Sequence, residues 1–151
     1  MGNYEVPVPE HWVIEDQNAL AFTLMNTSPT RPPRDGKLHT TAVIDIFPFR
    51  DRPVEASRMD FWLSQQRQWL TRDGVKYVEE KTLNLGGENL SCIGGSQLST
   101  VVRDIPSVRI PETDIVSLNC MSDHGLNILF VGEPSDLQSF YAFLLQIHRK
   151  R

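Results

Sequence analysis

Two cysteines in 151 residues are too few for a densely crosslinked scaffold or a four-cysteine zinc or iron site. No apolar run approaches the roughly 20 residues a membrane-spanning helix needs. The opening stretch MGNYEVPVPEH lacks the apolar segment of a signal peptide. A mature segment given an added Met or Met-Gly would read the same way, so an upstream leader stays open. Positive charge is also short: 15 Lys and Arg face 19 Asp and Glu, for a net charge of -4. No cationic stripe follows the chain, which argues against a nucleic-acid backbone reader. The four histidines, His11, His39, His124 and His148, are scattered, and no HExxH pair occurs. The glycine-rich stretch GGENLSCIGG fits neither the nucleotide-binding P-loop nor the dinucleotide fingerprint. Local sequence therefore assigns no catalytic, cofactor-binding or metal-ligating residue.

What is present is an ordinary globular chain, 40% apolar and 23% charged. Its length suits one domain over residues 1–151 with a sizeable core. No internal repeat or interdomain linker interrupts it. Pro7 and Pro9 discourage a long central strand and leave an extended lead-in that ends at Trp12, a core or rim anchor. Period-two alternation predicts a strand over 19–25, with Leu20, Phe22 and Leu24 on one face. A second covers 39–47, aligning Ala42, Ile44 and Ile46. Between them, Pro29, Pro32, Pro33 and Gly36 mark a loop. A helix is expected over 56–71: Met59, Trp62, Leu63, Trp69 and Leu70 form an apolar stripe that Gln66 interrupts and Phe61 widens. Strands follow over 75–85 and 88–93, with a break or bulge at Gly94-Gly95 before a further strand over 97–103.

The closing segment is the most regular. Strands over 115–119 and 126–131 flank Asp123-His124-Gly125. A helix over 136–148 follows, with Ser135 as N-cap, Gln138 as its partner, and a stripe running from Leu137 through Phe140, Tyr141, Leu144 and Leu145 to His148. Arg149-Lys150-Arg151 would then sit at the favourable end of the helix dipole. The order of strands and helices predicts an α+β domain with a central antiparallel sheet, a middle helix and a C-terminal helix.

Candidate chemistry is sparse. Cys92 and Cys120 fall in predicted strands where cross-strand neighbours can join as a disulfide; two buried thiols are the alternative. A disulfide implies a compartment outside the reducing cytosol, whereas reduced cysteines fit the cytoplasm. Cys120, Asp123 and His124 form the best local cluster, but neither metal nor thiolate chemistry follows from that spacing, and a disulfide excludes the thiolate. Arg31 and Arg34 in the proline-rich loop, with Trp62 and Trp69 on the middle helix, are candidate interaction residues. Solvated arginines in a stiff loop and tryptophans packed against a sheet are the simpler readings. Asn26-Thr27-Ser28 and Asn89-Leu90-Ser91 are formal glycosylation sequons, meaningful only in a glycosylating host.

Taken together, VPVPEHW near the start, the strands over 19–25 and 41–47, the helix over 56–71 and the closing LNILFVGEPSDLQSFYAFLLQI resemble the Mog1/PsbP-like fold. The resemblance covers residues 4–148 at the level of pattern. It implies two helices packed on an antiparallel sheet and a noncatalytic protein-interaction or assembly module with a protein partner. Relatives of this fold include a nuclear-transport GTPase partner, a photosystem accessory protein and many bacterial proteins. With the candidate disulfide, a bacterial periplasmic or other extracytoplasmic envelope location is expected. A small hydrolase, using a pocket that local sequence does not reveal, is the different-class alternative. A hydrolase would bring nucleophile, base and electrostatic stabiliser into one cleft.

Overall fold

The structure, a computed structural model, describes residues 4–10, 12–17, 22–26, 42–48, 53–72, 75, 77–101 and 109–149. In chain order these are β1 (Tyr4–Glu5), β2 (Trp12–Gln17), β3 (Phe22–Asn26), β4 (Ala42–Pro48), α1 (Ala56–Arg72), β5 (Tyr77–Asn84), β6 (Asn89–Val101), β7 (Arg109–Ser122), β8 (Leu126–Gly132), α2 (Leu137–Leu144) and β9 (His148–Arg149). A single 3-10 turn, Pro134–Asp136, leads into α2. Among the described residues, seven strands form one antiparallel sheet in the order β2-β3-β4-β8-β7-β6-β5. The mixed α+β class, the large antiparallel sheet and both expected helices are present.

Alternation along the strands decides which side is dry. Phe22 and Leu24, Ala42, Ile44 and Ile46, Leu126, Ile128 and Phe130, Val116 and Leu118, and Leu90 share one face and are buried. α2 closes that face with Phe140, Phe143 and Leu144, and Ile147 follows it into the core. Phe130 and Phe140 stack with ring centroids 4.5 Å apart. Burying each such ring contributes roughly 1.5–3 kcal/mol, so this layer dominates the stability of the fold.

Cys92 and Cys120 stand directly opposite each other in the β6–β7 register and are joined as a disulfide within this core. The bond was one of two readings open to the sequence; side-chain parity and register together select it. Gly94 is an enforced glycine two residues further on. A Cβ there would lie 1.9 Å from the Ser117 carbonyl oxygen and 2.7 Å from the Leu118 Cα. Gly94-Gly95 therefore does not break the ladder as expected. β6 runs unbroken through both, because the missing side chains are what let β6 and β7 pair closely.

Several boundaries differ from expectation. β2 begins at Trp12, where the extended lead-in was expected to end. β7 begins at Arg109, ahead of the strand expected over 115–119, and takes in Pro111. α2 stops at Leu144 rather than continuing to 148. The Leu145 amide, followed by those of Gln146 and Ile147, turns back onto the carbonyls of Tyr141, Phe143 and Leu144. His148 and Arg149 then pair with Glu5 and Tyr4 as strand β9. His148 thus leaves the helical stripe, and Arg149 does not cap a helix dipole. The helix entry is set by Glu133 and Asp136 rather than by Ser135 and Gln138: these two residues form a capping box, and the Glu133 N–H donates to the Asp136 carboxylate at 3.3 Å. Pro134 stands where its missing N–H costs nothing.

Candidate functional site

α1 lies over the opposite face of the sheet, and it covers that face incompletely. Met59, Trp62, Leu63, Gln66 and Leu70 point inward but are only half-buried. Among the described side chains of α1, none is fully buried, whereas α2 buries three. The helix is tied to the sheet by polar contacts. Arg67 grips Glu80 of β5 through two guanidinium hydrogen bonds, from Nε to Oε2 at 3.1 Å and from Nη2 to Oε1. The Arg67 guanidinium holds the Glu80 carboxyl below the usual carboxylate range. The Asn119 side chain of β7 donates to Gln66 Oε1 at 3.4 Å and accepts from the Asn127 amide at 2.7 Å. Asn127 also donates to the Cys120 carbonyl at 2.8 Å. Gln66, read as an interruption of the apolar stripe, is thus the inward-facing end of an amide chain crossing β7 and β8.

Between α1 and the sheet is a groove of about 490 Å³. Its walls include Trp69 and Leu70 from the helix and Ile93, Ile115, Leu129 and Val131 from the sheet; Gln66, Gln97, Ser117 and Asn119 supply the polar groups. Among the described residues, no Asp, Glu, Lys, Arg or His lines it. The depth has a local cause, since Gly95 faces Ser117 across the β6–β7 ladder and both are small. Trp69 stands at the groove and is 53% exposed, and Phe61, two turns earlier on the helix, is 64% exposed. This corrects the expectation that both pack into the core. Helical spacing identified the stripe, but α1 is turned so that Gln66 points inward and the two aromatics reach solvent.

Neither a protein-family model nor a curated protein matches the chain. Trp62 is half-buried on the inner side of α1, and Trp69 is exposed at the groove. Arg31 and Arg34 lie outside the described residues. Cys92 and Cys120 are buried on the other face of the sheet and do not belong to the groove. Ser117 and Asn119, polar residues alternating with the apolar Val116, Leu118 and Cys120, were the overlooked signal: they mark the strand face that meets the groove.

A second polar cluster lies at the end of the sheet. Glu88 follows the β5–β6 turn and is only 6% exposed. The Tyr4 hydroxyl donates to Glu88 Oε1 at 2.8 Å, and the His124 backbone N–H donates to the same oxygen at 3.2 Å. His124 Nδ1 is 3.3 Å from it. Burial, aided by the Glu88 carboxylate and opposed by a hydrogen bond to Ser122, pushes the Tyr4 hydroxyl up to about 12. Ser122 Oγ accepts the Leu126 N–H at 2.9 Å and the His124 N–H at 3.3 Å, fastening the β7–β8 turn. Gly125 completes that turn with a φ of 84°, a conformation costly for other residues.

This cluster does not assemble a nucleophile with its base. The His124 ring is directed at Glu88, Ser122 Oγ serves backbone amides, and the Cys120 sulfur is in a disulfide. The disulfide excludes both a thiolate nucleophile and a thiolate metal ligand at Cys120. Among the described residues, no group of three His, Cys, Asp or Glu side chains converges as a metal site, and no helix is long and apolar enough to cross a membrane.

Proposed function

We propose that this chain is a noncatalytic protein-interaction or assembly module, and that the groove beneath α1 receives an uncharged segment of a protein partner. The observation carrying this reading is the lining, which among the described residues offers apolar walls, neutral amide and hydroxyl groups, no charged side chain, and an exposed Trp69. An uncharged segment can enter without stranding a desolvated charge, while Ser117 and the amides can meet its polar backbone. Tryptophan at a groove rim gives large contact area for little conformational entropy, a pattern common at interaction hot spots.

A Mog1/PsbP-like domain is the architecture proposed with this function. Its support is the element order, with a middle helix before the β5–β8 meander and a second helix after it. An oxidising, extracytoplasmic setting such as the bacterial envelope is proposed from the Cys92–Cys120 disulfide.

The test is selection of binders from a random peptide display library on the oxidised protein. Each binder is then titrated against wild type and against Ser117→Leu, which fills the groove; thermal melts verify that the variant folds. Uncharged peptides should be enriched and should lose about tenfold or more in affinity for the filled groove, as expected for a buried apolar anchor. Enrichment of charged peptides only, binding indifferent to Ser117→Leu, or no binder at all would overturn the reading.

A further inference from the structure

Among the described residues, β5 has a strand neighbour on one side only: it ends the sheet and pairs with β6. Its backbone groups sort by parity. The Leu85 N–H donates to the Glu88 carbonyl at 2.7 Å as the β5–β6 hairpin closes. Antiparallel ladders alternate between bonded and non-bonded pairs, so the odd-numbered residues of β5 turn their N–H and C=O toward β6. The Cys92–Cys120 pair agrees: with Cα atoms 4.0 Å apart it is a non-bonded position of the β6–β7 ladder, which leaves Cys92 bonding toward Lys81. Glu80, Thr82 and Asn84 therefore turn their backbone groups outward. This open edge carries Glu79, Glu80 and Lys81 at its middle. From the order of these charges we propose that β5 docks antiparallel on the β5 strand of a second copy of this chain, about a two-fold axis through Glu80.

Symmetry and charge together fix the register. A two-fold axis normal to the sheet joins two β5 strands antiparallel and keeps each face on its own side. With Glu80 opposite Glu80, the Glu79 of each copy stands opposite the Lys81 of the other. Glu80 and Thr82 then occupy hydrogen-bonded positions of the new seam, where their outward backbone groups find partners. Glu79 and Lys81 occupy the non-bonded positions, where facing side chains come closest. The seam thus gains two opposite-charge pairs on the α2 side of the sheet, where the Lys81 ammonium already lies 4.3 Å from the centre of the Tyr141 ring. The two Glu80 carboxylates meet on the α1 side, and each is neutralised by its own Arg67. Moving the axis by one residue sets Glu79 against Glu79 or Lys81 against Lys81, and like charges directly opposite repel. Charges on an edge strand commonly keep sheets apart; of these three registers, the charges here admit one. The flank of α1 above the edge leaves room for a neighbour. Ser64, Gln68 and Thr71, short or flexible side chains, line a trough of about 460 Å³ there together with Arg67. The contact is isologous and closes at two copies. It is independent of what the groove beneath α1 binds.

Sedimentation equilibrium of the full oxidised chain, from micromolar to millimolar concentration, tests this. It should show a monomer–dimer equilibrium that weakens as salt is added. Glu79→Lys alone, or Lys81→Glu alone, should weaken the dimer about tenfold or more, because each turns two attractive pairs into two repulsive ones. The two substitutions together exchange the charges and should restore association; thermal melts verify that each variant folds. Amide hydrogen exchange gives a second readout that needs no variant. As wild-type concentration rises, the Glu80 and Thr82 amides should gain protection, while those of Glu79 and Lys81, already directed at β6, should change less. A chain that stays monomeric throughout, a dimer indifferent to the single reversals or not restored by the exchange, or association without added protection at Glu80 and Thr82 would overturn the proposal.

Discussion

Replacing both Cys92 and Cys120 by Ala tests the disulfide without leaving a new buried hydroxyl. The two residues face each other across β6 and β7, with a sequence separation of 28. Releasing a loop of that size restores chain entropy to the unfolded state worth about 3–4 kcal/mol. Because both sulfurs are buried in the core, lost packing adds to this rather than offsetting it. With a urea dependence of roughly 2 kcal/mol per molar, typical of small domains, the unfolding midpoint should fall by about 1.5–2 M. The assay is urea unfolding of both proteins followed by tryptophan fluorescence, with nonreducing mass spectrometry to establish that the wild type has lost two hydrogens. A double variant within about 1 kcal/mol of wild type would refute the entropy argument, since its lower bound lies well above that. Two free thiols in wild type recovered under oxidising conditions would refute the bond itself.

Two further outcomes are expected elsewhere. Gly94→Ala should be among the most damaging single-methyl additions in the chain, costing about 1–3 kcal/mol or preventing folding, because the obstructing atoms include the Ser117 carbonyl and the Leu118 Cα and backbone cannot turn aside; thermal denaturation against wild type measures it. Glu80→Gln should loosen α1 slightly at neutral pH. The Glu80 carboxyl is held below its ordinary value, so its contribution is present above the unfolded carboxylate range and lost as pH falls through the folded one. The difference between variant and wild type should therefore vanish in acid, and exchange at α1 amides across that range checks it.

The dry face of the sheet was legible because alternation is strict there. Ala42, Ile44 and Ile46, and Leu126, Ile128 and Phe130, announce strand, face and burial together. The same parity placed Cys92 and Cys120 on one side, although only the register makes them partners. α1 shows where that reading ends. Its spacing fixed a helix at nearly the observed limits, yet a helix resting on a partly polar sheet face can settle at several rotations. Its stripe alone could not say that Gln66 would meet Asn119 while Trp69 stayed in solvent. The Tyr4–Glu88–Ser122–His124 cluster was less legible still. Its members come from β1, the β5–β6 turn and the β7–β8 turn, and no local spacing records that meeting.

The strand order divides the sheet into two blocks, each made of strands that follow one another in the chain. β2, β3 and β4 pair as neighbours, and so do β5, β6, β7 and β8; the bond between blocks is the β4–β8 pairing. Within each block the paired strands are near in sequence, whereas the seam joins residues 42–48 to residues 126–132. Among the strand pairings of this sheet the seam spans the longest stretch of chain, so closing it costs the most loop entropy. Gly132 sits there, and a Cβ on it would come within 2.6 Å of the Ala42 Cβ. Crowding at that seam would weaken the one pairing that joins the blocks within the sheet, and a separated seam leaves two strand edges, β4 and β8, open to other chains.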